Sequence, residues 1–176
     1  SSYISDVRAQ NYFAIASFDW DDKYILDGMF RRDGSSLFGP DSRWNNYYRI
    51  SGAYRITQDI EIPGLDELKI RAAQGTAGIR PGFSWQYETF SVSGGNASKS
   101  SLGNRNLKPS QTKETEFAIN GTVSSLVDFE FIYSQSTTTD QFLNVPLLPL
   151  AGFNSQWRNA GEIDSESFEV NLQSSI

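Results

Sequence analysis

Apolar and polar residues alternate with a period of two along most of this chain, which is the spacing of strands rather than helices. The first such segment is Ala9–Phe18, with Tyr12, Ala14, Ala16 and Phe18 on one phase and Asn11, Phe13, Ile15 and Ser17 on the other. Tyr24–Arg32 sets Leu26 and Phe30 against Asp27 and Arg31, and Tyr47–Thr57 sets Ile50 and Tyr54 against Arg49, Ser51 and Arg55. Glu67–Gly75 opposes Leu68 and Ile70 to Lys69 and Arg71. Thr112–Val123 alternates Glu114, Glu116 and Asn120 with Thr115, Phe117 and Ile119. Asp128–Thr138 and Ser167–Ser174 repeat the pattern, Phe129, Phe131 and Tyr133 in one and Phe168, Val170 and Leu172 in the other. The expectation is an all-β, antiparallel up-and-down meander of about seven strands.

The connections alternate as well. Asp19–Lys23, Gln58–Asp66 and Ser124–Val127 are short or moderate, whereas Asp33–Asn46, Thr76–Gln111 and Gln141–Glu166 are long. Loops beyond about 12–15 residues are uncommon in compact domains. Strict alternation of short turns with long loops is expected of a barrel crossing an outer membrane. Such a strand needs about 9–11 residues to cross, one apolar face toward lipid and freedom for charges on the other. The charged Asp27, Arg49, Lys69, Glu114 and Glu130 all fall on the phase opposite the apolar stripe. Trp20, Tyr24, Tyr47 and Tyr48, near strand ends, are candidates for an interfacial aromatic girdle. The same periodicity fits a soluble β-sandwich, in which the two phases mean core and water. The loop alternation favours the membrane barrel.

Composition narrows the chemistry. The 176 residues carry a net charge of −6, and the pI is about 4.6, so no phosphate-neutralising surface for nucleic acid is expected. Histidine and cysteine are both absent, which removes Ser-His-Asp and Cys-His arrangements, His- or thiolate-based metal sites and disulfides. Aromatic content of 14% beside a mean hydropathy of −0.44 points to amphipathic segments rather than one dense core. The chain begins at Ser1 and carries no signal peptide, so it reads as a piece of a longer protein.

No catalytic constellation emerges. Asp19, Asp21 and Asp22 lack the glycine and downstream glutamate of an EF-hand and read as a polar turn. Glu114 and Glu116 sit in a repeating polar face rather than as an acid–base pair. Neither an enzyme nor a cofactor is expected. In the loop RRDGSSLFGPDSRW (Arg31–Trp44), Arg31, Arg32 and Arg43 can pair with Asp33 and Asp41.

That loop resembles the signature strand–loop of SusC/RagA-type TonB-dependent outer-membrane transporters, which import glycans and peptides. LKIRAAQGTAG (Leu68–Gly78) resembles the family's LKLRASYGxxGN strand, and LKPSQTKETEF (Leu107–Phe117) its NLKPExxxxxExG element. LNVPLLPLAGF (Leu143–Phe153) resembles its LxxVPLPxxxGF loop, and NAGEI (Asn159–Ile163) begins its closing element. These run in the family's order from about Asn11 to Leu172; at Asp164–Glu169 serine stands where the family pattern has glycine.

The resemblance implies that residues 1–176 are a fragment of a TonB-dependent receptor barrel, with plug domain and remaining strands outside it. It further implies an outer membrane of the Gram-negative type as location and uptake of a nutrient such as a glycan or peptide. The partners it implies are a TonB-type energising protein acting through the plug, a SusD-like lipoprotein lid and outer-membrane lipid. The long loops would then face outside, where Phe83, Trp85, Tyr87, Phe153 and Trp157 are candidates to stack on sugars or pack on peptide side chains. The plainer reading of those rings is packing of loop on loop. The competing whole-chain reading is a soluble or surface-attached β-sandwich that binds carbohydrate without transporting it.

Overall fold

The computed structural model describes residues 6–174. The strands in chain order are β1 (Ala9–Trp20), β2 (Tyr24–Ser35), β3 (Trp44–Arg55), β4 (Leu65–Ile79), β5 (Phe90–Ser93), β6 (Asn96–Lys99), β7 (Ser101–Leu102), β8 (Ser110–Val123), β9 (Val127–Thr139), β10 (Phe142–Pro146), β11 (Ser155–Asn159) and β12 (Ile163–Ser174). Seven of them form one antiparallel meander in the order β1-β2-β3-β4-β8-β9-β12. The rest belong to the long loops: a β5–β6 hairpin, and a small β10-β11-β7 sheet.

Register carries one phase across all seven strands. Trp20, Tyr24, Tyr54, Ile70, Ile119, Phe131 and Val170 are partners in one continuous row. Phe18, Leu26, Gly52, Ala72, Phe117, Tyr133 and Phe168 form the next. Partnered residues in antiparallel strands project to the same side, so these rows build one apolar face. The opposite face is read from rows such as Ser17, Asp27, Ser51, Ala73, Glu116, Ser134 and Ser167. Most large residues of the apolar face are exposed, Phe168 and Leu172 above 70%.

The apolar belt is not level with the register. On β1 it reaches Tyr12, the partner of Arg32, while on β12 it stops at Phe168, in the Leu26 row. Along β2 that descent is about six residues, or roughly 20 Å, over a sheet width of roughly 29 Å. The strands therefore lean about 35° from the belt's normal, within the range of roughly 35–45° found in membrane barrels.

Short turns close one end. Asp21 and Asp22 both have positive φ, as do Ser124 and Ser125, which is the backbone of a type I′ hairpin turn. Asp19 Oδ1 accepts from the Asp22 N–H at 3.1 Å, and Asp66 Oδ2 accepts from the Ser125 hydroxyl at 2.9 Å. These caps explain how non-glycine residues hold the left-handed region.

The sequence pattern underestimates strand length at the other end. β2 continues from Arg32 to Ser35, β3 begins at Trp44 rather than Tyr47, and β4 continues past Gly75 to Ile79. β8 begins at Ser110 and β12 at Ile163. Above the apolar belt neither face has to be apolar, so pairing continues where alternation lapses. Of the girdle candidates, Trp20, Tyr24 and Tyr48 lie on the apolar phase. Tyr47 does not: adjacent strand residues point to opposite faces, and Tyr47 partners Arg31 and is 2% exposed. Trp44 and Tyr12, stacked at 5.9 Å with Arg32 over the indole, hold the upper rim instead.

Above the last β3–β4 partners, Arg49 and Gly75, Tyr47 packs against Gly78, where an added Cβ would come 2.0 Å from the phenol oxygen. Gly78→Ala should cost about 1–3 kcal/mol, as overpacking beside an immovable side chain does. Gly28→Ala, with nothing within 4 Å, should be neutral or mildly stabilising. Urea unfolding of the two variants in detergent compares them directly; equal midpoints would refute the packing described.

Candidate functional site

The packed interior of this molecule lies at the long-loop end. Leu107, Pro81 and Pro109 are fully buried, and Phe38, Tyr47 and Phe153 nearly so. The loop between β2 and β3 is stapled at both flanks. Gly39 N–H donates to the Leu107 carbonyl at 3.0 Å, and Ser36 N–H to the Arg8 carbonyl at 2.9 Å. A Cβ on Gly39 would stand 2.8 Å from the Arg105 carbonyl, which is why glycine serves there. Within the loop, Arg31 pairs with the buried Asp33 at 3.2 Å and lies over the Tyr47 ring, while Arg32 goes to Trp44 instead. Arg43 and Asp41 are both exposed.

The second and third long loops are knitted by side-chain amides. Asn104 donates through Nδ2 to the Trp157 carbonyl at 2.9 Å, and Gln156 through Nε2 to the Gly103 carbonyl at 3.1 Å. Asn159 is the central clamp. Its Oδ1 accepts from the Lys108 N–H at 2.9 Å, and its Nδ2 donates to the carbonyls of Lys108 and Asp140 at 2.9 and 2.8 Å. One side chain thus ties the entry of β8, the exit of β9 and the end of β11.

The five candidate rings all stand at this end but not in one surface. A short 3-10 turn, Phe83–Gln86, presents Trp85 face to face with Trp157 of β11, centroids 3.9 Å apart and planes 12° from parallel. Phe142 closes on Trp85 edge-on at 5.2 Å. Phe153 is 6% exposed, beneath Phe90 and the Lys99 ammonium. Phe83 meets Tyr87 at 5.5 Å, and Tyr87 is 46% exposed. Trp85 and Trp157 therefore spend ring faces on each other and Phe153 on Phe90 and Lys99, and among the five the free surface is concentrated at Tyr87. Phe142 and the amide clamps escaped the sequence reading, because nothing in a polar loop's pattern tells which distant backbone an asparagine will meet.

The polar face of the sheet carries a second network. Arg71 donates to Asn120 Oδ1 at 2.9 Å and to Glu130 at 2.6 Å, and Asn120 and Asn171 both donate to Glu130 at 2.7 and 3.2 Å. It crosses β4, β8, β9 and β12, so an arginine and a glutamate from neighbouring rows are paired on the polar face of the wall. At the short-turn end Asp59 bonds Lys23 and accepts from the Tyr54 hydroxyl at 2.7 Å. Lys23 first, then Tyr54, holds the Asp59 carboxyl below its ordinary value of 3.8, and Asp59 raises Lys23 in return.

A wall section of a large antiparallel barrel, apolar on one face, short-turned at one end and loop-capped at the other, is the class these features define. The chain belongs to the family described as TonB dependent receptor-like, beta-barrel, which it matches over residues 1–175. It is 28% identical over 98% of its length to TonB-dependent receptor P26 of Formosa agariphila, and 22% identical over 98% to TonB-dependent receptor SusC of Bacteroides thetaiotaomicron. It spans about a fifth of those relatives, 19% of each. Its fold is similar to that of the RagAB peptide importer in the closed-closed state, with a TM-score of 0.83 and 22% identity over 96% of this chain and 20% of that one. The siderophore receptor PirA from Pseudomonas aeruginosa is similar at a TM-score of 0.68, with 17% identity over 94% of this chain and 31% of that one.

Two outcomes follow from these contacts. Asn159→Ala removes three solvent-accessible hydrogen bonds, to the Lys108 amide and to the Lys108 and Asp140 carbonyls, at a cost of about 1 kcal/mol. Hydrogen exchange at residues 107–110 should accelerate selectively, and unchanged protection there would refute the clamp. The Asp59 carboxylate, depressed in the folded state, contributes stability above its unfolded value and loses it as pH falls through the lower folded value. Protection at Ile56–Asp59, corrected for the pH dependence of intrinsic amide exchange, should hold from neutrality and fall as pH drops below the ordinary carboxylate value of 3.8, and Asp59→Asn should abolish that step.

Proposed function

We propose that the chain is a section of the barrel wall of an outer-membrane nutrient importer, energised from the inner membrane through a TonB-type partner that acts on a plug domain outside this sequence. The observation that carries the reading is the apolar face kept in phase over seven strands, within a family of TonB-dependent receptor barrels. In hydrocarbon every backbone polar group needs a partner within the protein, so a wall of this kind belongs to a closed barrel. Residues 1–176 on this reading are part of that barrel, and the sheet edges β1 and β12 continue into further strands. The long loops face outside and the short turns face the periplasm.

Two finer statements belong to the same reading. Tyr87 and Phe83 offer ring surface to a glycan or peptide, while Trp85, Trp157 and Phe153 brace the loops that present them. A SusD-like lipoprotein covers the loop end as a lid. The similarity to the RagAB peptide importer, whose closed-closed and open-open states are both known, supports this reading.

The experiment is fractionation of source cells, blotted with an antibody against residues 33–46. A heat-modifiable band in the outer-membrane fraction, several times larger than the 19.7 kDa of this chain, is expected. A soluble band near 19.7 kDa would overturn the reading and return the chain to a self-contained sheet.

A further inference from the structure

The wall divides in two toward its long-loop end. Direct pairing of β3 with β4 stops at Arg49 and Gly75. Neither strand ends there: β3 stays on β2 as far as Trp44, and β4 stays on β8 as far as Ile79. At the division the Tyr48 N–H leaves the backbone ladder and donates to the Thr76 hydroxyl at 3.1 Å. A groove of about 350 Å³ opens in the crotch, with Met29, Tyr48 and Arg49 on one arm and Gly75, Thr76 and Ala77 on the other. Arg49 and Glu114 stand in one row on either side of Gly75 and form no ion pair among the described residues. Each arm already has its other neighbour, so no further strand of a barrel can fill this gap.

The loops divide along the same line. The loop between β2 and β3 is tied to its own arm: Ser36 N–H donates to the Arg8 carbonyl at 2.9 Å, Arg8 N–H to the Ser36 hydroxyl at 3.1 Å, and Trp44 stacks on Tyr12. The two later loops are tied to each other by Asn104 and Gln156, and by Asn154 N–H, which donates to the Ser100 carbonyl at 2.9 Å. Between the first loop and the other two, a single hydrogen bond crosses among the described residues, from Gly39 N–H to the Leu107 carbonyl. The rest of the joint is side-chain packing. Phe38 and Leu107, next to that bond, are buried, and Tyr47 reaches across the division onto Gly78 with the Arg31 guanidinium over its ring. A ladder holds two strands in one register, whereas a joint with so few hydrogen bonds opens at a fraction of the global unfolding cost.

We infer that this fork is a hinge. The β2–β3 loop and the upper ends of β1, β2 and β3 swing as one body against the loops 80–109 and 140–162, with the pivot at Arg49 and Gly75. Glycine suits the pivot, since an added Cβ there would stand 3.3 Å from the Tyr48 carbonyl and press the arms apart. Tyr47 is the wedge that sets the closed position, and the Gly39–Leu107 bond is the latch above it. The motion goes beyond the import reading and does not depend on the cargo. On that reading it lets the first long loop part from the two loops that carry the candidate rings.

The test is residue-resolved hydrogen exchange, corrected for intrinsic rates, on the full-length protein purified in mild detergent. Gly39 and Tyr48, whose amide bonds span the division, should be about tenfold less protected than Ser36 and Asn154, whose bonds stay within one body. Tyr47→Ala should lower the protection of Gly39 further while Asn104 and Asn154 keep theirs. Tyr47→Phe, which retains the ring, should behave as the parent does. Equal protection of Gly39, Tyr48, Ser36 and Asn154 would overturn the hinge, and so would a Tyr47→Ala protein loosened alike on both sides of the fork. Should Tyr47→Ala not fold, the comparison within the parent protein decides alone.

Discussion

Backbone hydrogen bonding between neighbouring strands, held in one register phase from β1 to β12, is the constraint on which everything else depends. A slip of one residue at any of the six interfaces would carry every later side chain to the opposite face. Leu26, Ile70, Phe117 and Phe131 would then join the face of Arg71 and Glu130, and the charges would take their place. The short turns enforce the phase locally: Asp19, Asp66 and the paired positive-φ residues fix which residue faces which across each hairpin. The long loops cannot do so by length alone. They do it by anchoring their own ends, as Asn159 does when it holds the entry of β8 to the exit of β9.

Two different kinds of stability meet in this chain. At the loop end the molecule is an ordinary protein interior, with Leu107, Pro81 and Pro109 excluded from solvent and ring faces spent on ring faces. Along the sheet the large apolar residues are largely exposed, and their burial has to come from surroundings the chain does not supply. Water would leave this face as an aggregation surface; lipid would make it the lowest-energy arrangement available. On the polar face, by contrast, Arg71, Asn120, Glu130 and Asn171 satisfy one another across four strands.

How far the sequence could be read follows from that division. Where a face must be apolar, selection writes a period of two, and the phases of Leu26, Arg49, Lys69, Phe117, Glu130 and Phe168 were all legible. Above the belt the requirement lapses. The last turns of β2 and β4, the start of β12 and the inward placement of Tyr47 left little trace, although Tyr47 and Tyr48 being neighbours already meant that only one could stand in a girdle. The candidate rings were legible as loop aromatics, but their pairing was not. Trp85 and Trp157 are separated by most of two loops, and their stacking depends on where Asn104 and Gln156 find backbone partners. Such contacts are decided by tertiary geometry, which no local periodicity encodes.

The arrangement of the loop core bears on how a surface binder could be built over a barrel. Rings meant only to catch ligand would remain free, yet three of the five face one another or lie under a lysine. A loop whose tip must meet substrate while its base continues a strand needs a rigid middle, because backbone order is lost quickly away from the sheet. The Trp85–Trp157 stack, the Phe142 edge contact and the Gly39–Leu107 bond supply that middle. They spend aromatic surface on positioning and leave Tyr87 at the edge with a free ring, held by Phe83. On the reading proposed above, recognition chemistry on this wall is sparse in contacts and strict in orientation, since the scaffold beneath it fixes direction before any ligand arrives.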